Sequence, residues 1–216
     1  MQHRVQTLAS LTCHIIDKLP AGVRPRLGVV LCHGYGAPAT DLLALADALM
    51  QVEPVLAACT QFLFPEAPHT LDDMGMPTGR AWWPLSLQRL QAQLSARRFD
   101  EIRQACPEGL PEARDALLAM VAEWTDQVGL TVADTVVGGF SQGAMLSVEV
   151  AAALPTSPAG VIAFSGELIH ESAWRSGLAH KPDLPVFQSH GQYDVVLPYV
   201  AGTWLKQLLE ESSARL

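Results

Sequence analysis

Basic residues are scarce in this sequence, and no stretch of it is strongly basic. The 14 lysines and arginines are outnumbered by 22 acids, which gives a formal net charge of -8. Nucleic-acid backbones are bound by clustered positive charge, so we expect no nucleic-acid partner. No apolar window is long enough to span a bilayer, and residues 1–11 lack the pattern of a signal peptide. We therefore expect a cytoplasmic protein with no stable membrane insertion.

Cysteines are few, and they are too scattered to form a disulfide framework. The sequence contains no Cys-x-x-Cys pair and no Cys/His cluster with the spacing of zinc ligands. We interpret Cys13, Cys32, Cys59 and Cys106 as reduced, mostly buried thiols. The sequence predicts neither a metal site nor a cofactor.

The remaining composition is that of one folded domain. With 216 residues, of which 49% are apolar and 17% charged, the chain can bury one substantial core. Apolar runs predict an edge strand at 11–16, a central strand at 27–32 and a further strand at 62–64. The spacing of apolar residues over 38–50 predicts an amphipathic helix.

Residues 67–108 have mixed character. Proline, glycine and methionine punctuate 70–80, whereas 87–102 has the pattern of a helix. We interpret the whole segment as a cap or pocket wall within a single domain of residues 1–216.

The second half alternates strands and helices. A helix begins near Pro111 and ends at Gly129, and buried strands are predicted at 160–164 and 186–188. A last helix at 198–209 is predicted to turn Val200, Trp204, Leu205 and Leu208 inward. This alternation predicts an α/β fold with a mostly parallel sheet flanked by helices.

The most informative pattern is Gly-x-Ser-x-Gly at 139–143. An apolar, β-branched run precedes it and a helix-forming segment follows it, which is the order of a nucleophile elbow. Such a turn exposes the Ser141 hydroxyl beside the first N–H groups of the helix, where developing negative charge can be stabilised. The alternative is an ordinary Gly/Ser-rich loop between strand and helix.

A nucleophilic serine needs oxyanion donors and an acid that orients its base. The backbone N–H groups of Gln142 and of Tyr35, in the loop after the central strand, are the candidate donors. That loop could also be a simple tight turn. Asp194, just after the strand at 186–188, is the candidate acid. Glu167 competes with it, although we expect Glu167 to be a solvated loop residue.

Four segments together resemble the phospholipase/carboxylesterase family of α/β-hydrolases, which includes acyl-protein thioesterases and small bacterial carboxylesterases. They are Leu-Cys-His-Gly-Tyr-Gly at 31–36, Pro-Glu-Ala-Pro at 65–68, Gly-Gly-Phe-Ser-Gln-Gly-Ala at 138–144, and His-Gly-Gln-Tyr-Asp at 190–194.

The resemblance implies an α/β-hydrolase fold, Ser141 as nucleophile, Asp194 as acid, and Tyr35 with Gln142 as oxyanion donors. It also implies that Trp83 lies beside the acyl pocket, although Pro84-Leu85 stands where the family has an aspartate. The implied substrate is a small-molecule ester or acyl thioester, and the implied protein is a monomer or homodimer.

The catalytic histidine that this resemblance implies is missing. No histidine follows Asp194, and the seven present are His3, His14, His33, His69, His170, His180 and His190. We expect His33 and His190 to be structural, and His170 and His180 to be exposed. We also expect the fold to lack its last strand and helix, which leaves the strand at 186–188 as an open edge. The favoured hypothesis places the base beyond Leu216, and the alternative is a catalytically silent binding protein.

Overall fold

A computed structural model describes residues 1–86, 88, 92–93, 95–212 and 214–216, and its centre is a seven-stranded mixed sheet. The strands are β1 (Gln2–Leu8), β2 (Leu11–Asp17), β3 (Leu27–Cys32), β4 (Thr60–Pro65), β5 (His69–Leu71), β6 (Met76–Ala81), β7 (Thr135–Phe140), β8 (Gly160–Phe164) and β9 (Val186–Ser189). The order in the large sheet is β1-β2-β4-β3-β7-β8-β9.

Five neighbouring strands of this sheet are parallel, which confirms the predicted sheet type. They are β4, β3, β7, β8 and β9, whereas β2 runs antiparallel to both β1 and β4. The strand predicted at 11–16 is present as β2, but its predicted position at the edge of the sheet was wrong, because β1 lies outside it. Most side chains of β1 are exposed, so this strand has no apolar run by which it could be recognised.

The helices are α1 (Leu43–Val52), α2 (Pro54–Cys59), α3 (Phe99–Gln104), α4 (Leu110–Val128), α5 (Gln142–Ala153), α6 (Glu171–Leu178) and α7 (Tyr199–Glu211). As expected, α4 has a proline in its first turn and ends at Gly129, which has a φ of 75°. Within the described residues, no helix has both the length and the apolar character needed to cross a membrane.

Alternate residues of the central strands pack on opposite faces of the sheet. Val30 and Leu63 belong to the core that also contains the buried side chains of α4, α5, α6 and α7. Val29 and Phe62 point the other way and pack with Ala46 and Met50 of α1. A strand with apolar residues on both faces must be covered on both, which is the reason that β3 and β4 read as continuous apolar runs.

The segment 67–108 contains a hairpin that the sequence did not reveal. Strands β5 and β6 pair antiparallel, and Gly75 between them has a φ of 75°, which favours glycine. The helix predicted over 87–102 lies partly outside the described residues. Within the described part, α3 begins at Phe99 and its Ile102 is buried.

The sheet ends at β9, which in the described chain pairs along its length with β8 alone. This is the open edge that was expected. One parallel bridge joins Pro185 to Arg215, and the Val186 amide donates to the Arg215 carbonyl at 2.9 Å. Phe187 on this strand is 60% exposed. The inward positions predicted for Leu205 and Leu208 are confirmed, and Trp204 packs partly buried against the core. The prediction for Val200 was wrong, since Val200 is exposed and α7 buries Ala201 and Leu209.

Candidate active site

Ser141 connects β7 to α5 in a strained backbone conformation. Its φ is 53° and its ψ is -116°, values that non-glycine residues rarely adopt outside functional turns. The Ser141 amide donates to the Phe164 carbonyl of the neighbouring strand at 2.8 Å, which holds the turn against β8. A Cβ atom at Gly143 would lie 2.1 Å from the Cys32 carbonyl oxygen, so only glycine lets α5 pass this close to β3.

Two backbone N–H groups near Ser141 lack acceptors. The Gln142 amide is the first of α5, so it has no acceptor within the helix. The Tyr35 amide lies in the short loop that follows β3. Neither amide hydrogen-bonds to any residue that the structure describes, and both residues line the same cavity as Ser141. They are therefore available to a ligand oxygen.

The Tyr35 loop is held by His33, which is buried. One ring nitrogen, Nδ1, lies 2.8 Å from the Gly34 carbonyl, and the Ala67 amide donates to the other, Nε2, at 3.1 Å. These partners require a neutral ring with the proton on Nδ1, and burial correspondingly lowers the pKa of His33. The Trp82 indole donates to the His33 carbonyl at 2.9 Å. His33 is a structural residue, as expected.

The Gln142 side chain is also buried, and it bridges to the tryptophan pair. Its Oε1 accepts from the Trp82 amide at 2.8 Å, and its Nε2 donates to the Trp83 carbonyl at 2.9 Å. The residue that supplies one free amide therefore also holds the segment that carries Trp83. The spacing in sequence gave no sign of this bridge.

Asp194 lies in the loop after β9 with one carboxylate oxygen already bonded. Its Oδ1 accepts from the amides of Val196 and Leu197, each at 2.9 Å. Its Oδ2 is 3.9 Å from Nε2 of His190, and that nitrogen instead contacts the Leu197 carbonyl at 2.8 Å. In the described chain Oδ2 has no hydrogen bond, so it can accept one from another group.

All five residues predicted for the site line one cavity of about 300 Å³. They are Tyr35, Trp83, Ser141, Gln142 and Asp194, and Leu85, Pro107, Phe140, Met145, Glu167, Ile169, Val196 and Leu197 complete the lining. The structure thus brings together residues that are widely separated in sequence.

A second cavity of about 640 Å³ adjoins the first. The two share Tyr35, Leu85, Pro107, Glu167 and Ile169 as lining residues. Most of the remaining wall of the second cavity comes from the segment 67–108. This segment therefore lines a pocket next to Ser141.

Glu167 is not the solvated loop residue that we expected. It is only 4% exposed, and its Oε2 has no hydrogen-bond partner among the described residues. Burial raises its pKa from 4.5 to about 7. The sequence does place Glu167 just after β8, at the sheet edge where ligands bind in α/β folds, but its burial depends on the cavity walls.

None of the seven histidines lines the Ser141 cavity. His3 and His14 stack on each other at the far edge of the sheet, His69 lines the second cavity, and His180 is exposed. His170 was expected to be exposed but is partly buried, and its Nδ1 lies 3.0 Å from Oε2 of Glu149. The described residues also contain no cluster of three or more potential metal ligands. Among the described residues, the Ser141 hydroxyl has no hydrogen-bond partner.

The mixed sheet, the elbow after a parallel strand and the paired free amides define an α/β-hydrolase. The sequence model of the phospholipase/carboxylesterase family matches residues 20–215, and the chain belongs to this family.

Named relatives agree with this assignment. Acyl-protein thioesterase 1 of Saccharomyces cerevisiae is 28% identical over 204 residues, which cover 90% of this chain and 82% of the relative. The crystal structure of esterase PE8 superposes with a TM-score of 0.73 at 32% identity, covering 94% of this chain and 85% of the other. A carboxylesterase from Mesorhizobium loti shares the fold with a TM-score of 0.69 at 15% identity, covering 98% and 86%.

Proposed function

We propose that this chain carries the active site of a serine hydrolase that cleaves carboxylic esters or thioesters through an acyl-enzyme intermediate. One observation carries the proposal. The Ser141 turn, the two unbonded amides and the Asp194 carboxylate line a single cavity. The names of the relatives, an acyl-protein thioesterase and an esterase, agree with this substrate class.

In the proposed reaction, the Ser141 oxygen attacks the carbonyl carbon and forms a tetrahedral adduct. The N–H groups of Tyr35 and Gln142 hold the oxyanion, and each would stabilise the transition state by roughly 3 kcal/mol. The alcohol or thiol leaves with a proton, and water then attacks the acyl-Ser141 ester. Hydrolysis of that ester restores the free serine and releases the carboxylic acid.

The proton acceptor in this scheme is an imidazole that these 216 residues do not place at the cavity. Oδ2 of Asp194 is the atom that would hold such a ring, since Oδ1 already accepts two amides. Loss of the base from a serine triad lowers kcat by about 10⁶. We therefore expect the 216-residue chain alone to be a very slow hydrolase.

Rescue by dissolved imidazole tests this proposal directly. We expect imidazole to accelerate hydrolysis of p-nitrophenyl acetate by the chain at least tenfold over the same mixture containing Ser141→Ala. Mass spectrometry should find an acetyl group on Ser141 during turnover. Asp194→Asn keeps an acceptor for the Val196 and Leu197 amides while removing the charge, so it should fold normally and reduce the rescue.

A second candidate function follows from the missing base. If the chain is a catalytically silent binding protein, the cavity persists but Ser141 is not activated. A correctly folded chain would then show no imidazole rescue and no fluorophosphonate labelling of Ser141, although it would still bind acyl ligands. That result would refute the hydrolase proposal.

A further inference from the structure

Glu167 is the one acidic side chain that lines both cavities of the site. The other described residues of the shared lining are Tyr35, Leu85, Pro107 and Ile169, so the carboxyl lies among mostly apolar groups. Its Oε2 is inaccessible to solvent and has no hydrogen-bond partner among the residues that the structure describes. Buried carboxyl oxygens in folded proteins nearly always have a partner, so an exception at a cavity wall calls for an explanation, and a donor on a bound ligand is one that the position of Glu167 allows.

The surroundings favour a positively charged partner. Among the residues that the structure describes, the titratable ones that line the two cavities with Glu167 are Tyr35, His69, Cys106, Glu108 and Asp194, and none is a lysine or an arginine. An ionised carboxylate accepts hydrogen bonds and donates none, so its complement is a donor, and the strongest donor is a cation.

We propose that Glu167 is a specificity-determining residue that selects substrates carrying an ammonium group in the part that lies at the boundary between the two cavities. This inference rests on the proposed hydrolase function for its meaning, but the recognition itself requires no catalysis. Glu167 makes no bond to the reacting atoms. Its role is to hold the substrate by an ion pair with N–H hydrogen bonds.

The state of the carboxyl gives the selection a pH dependence. Burial raises the pKa of Glu167 to about 7, so the carboxyl is largely neutral in mild acid and ionised in mild base. An alkylammonium remains charged across this range. The preference for an ammonium group should therefore strengthen as the pH rises through 7.

Binding of two matched amides tests the proposal without turnover. Hexanamide and 6-aminohexanamide differ only by the terminal ammonium, and calorimetry would measure the affinity of each for the 216-residue chain. At about pH 8 the amino compound should bind about tenfold more tightly, as a hydrogen-bonded charge would provide. At about pH 6 the preference should be several-fold smaller, because Glu167 is then largely protonated.

Glu167→Gln keeps the size of the side chain and removes its charge. In this variant the two amides should bind with equal affinity at both pH values. Glu167→Met provides a second neutral variant of similar volume. Equal binding of the two amides by the unaltered chain, no binding of either, or a preference that survives in a folded neutral variant would overturn the proposal. Because calorimetry of amide binding requires no turnover, failure of hydrolysis would leave this result unaffected.

Discussion

The two sides of the site are built differently. On the β3–β7 side, His33 has partners for both ring nitrogens, and Gln142 has partners for both ends of its amide. On the β8–β9 side, every buried side-chain atom without a partner in the described chain is found, namely Oε2 of Glu167, Oε1 of Gln188 and Nδ1 of His190.

The β3–β7 side has its polar side chains hydrogen-bonded within the chain, whereas the β8–β9 side has polar groups that lack partners among the described residues. The β3–β7 side depends on hydrogen bonds already formed, so the Tyr35 and Gln142 amides are held in place before a ligand arrives. Among the described residues, the β8–β9 side has unbonded acceptors at Asp194 and Glu167, which line the Ser141 cavity, and at Gln188, which does not line it. We infer that the first side sets geometry and the second side receives the base and the substrate.

The largest expected effect on the free energy of unfolding is on the β3–β7 side. Gly143→Ala would place a Cβ atom 2.1 Å from a backbone carbonyl oxygen, and backbone cannot yield easily. We expect the free energy of unfolding to fall by more than about 4 kcal/mol, which few single substitutions reach. The matched change on the other side is Gly191→Ala, whose Cβ would meet nothing closer than 3.8 Å. It should change stability by less than about 1 kcal/mol, and urea denaturation compares the two.

The second largest effect concerns Glu167, whose buried carboxyl lacks a hydrogen-bond partner in the described chain. Between pH 4.5 and about 7 the unfolded chain has released the proton that folded Glu167 still holds, so stability falls as the pH rises through this window. Since each unit of pKa difference corresponds to about 1.36 kcal/mol, the free energy of unfolding should be lower by about 3 kcal/mol above pH 7. Glu167→Gln should lack this component, so its stability relative to the unaltered chain should rise across the window. If the free energies of unfolding of the two proteins change with pH in the same way, the argument from the burial of Glu167 is contradicted.

The third effect compares two glutamines. Gln142→Ala leaves the Trp82 amide and the Trp83 carbonyl without partners, and we expect a loss of roughly 2 kcal/mol. Gln188 makes one bond, from its Nε2 to the Gly202 carbonyl, and its other end is already unpaired. Gln188→Ala should therefore destabilise by less than about 1 kcal/mol. If denaturant unfolding shows that Gln142→Ala and Gln188→Ala lower the free energy of unfolding equally, the two sides do not differ in this respect.

The smallest effect is expected on the open strand. Phe187 is 60% exposed on β9, so Phe187→Ala should change the free energy of unfolding by less than about 1 kcal/mol. Phe62 on β4 is fully buried, and Phe62→Ala should cost about 3–5 kcal/mol. A large loss for Phe187→Ala would mean that this edge of the sheet is covered in solution.

Much of the site was predictable because its signals are local. Gly-Phe-Ser-Gln-Gly between an apolar run and a helix indicates a strained turn at Ser141, and the structure has that turn. Tyr35 and Asp194 directly follow recognisable strands, and parallel strands bring their carboxyl ends to one edge. Trp83 was named only through the family resemblance, yet it lines the same cavity. The catalytic roles of these residues remain predictions.

Other features depended on distant contacts. The polar strand β1 is recognisable only through its pairing with β2, and the hairpin of β5 and β6 lies in a segment punctuated by glycine and proline. Glu167 looked like a loop glutamate, and only the walls of two cavities make it a buried acid.

By itself, the sequence determined the alternation of strands and helices and the turn that presents Ser141, because each is a property of neighbouring residues. Only the tertiary structure decided which polar groups are bonded. The side-chain amide of Gln142 reaches tryptophans about 60 positions away, and Oε2 of Glu167 meets no hydrogen-bond partner in the described part of the chain. Hydrogen bonding and burial are settled by which segments meet, and that information is not contained in any short stretch of chain.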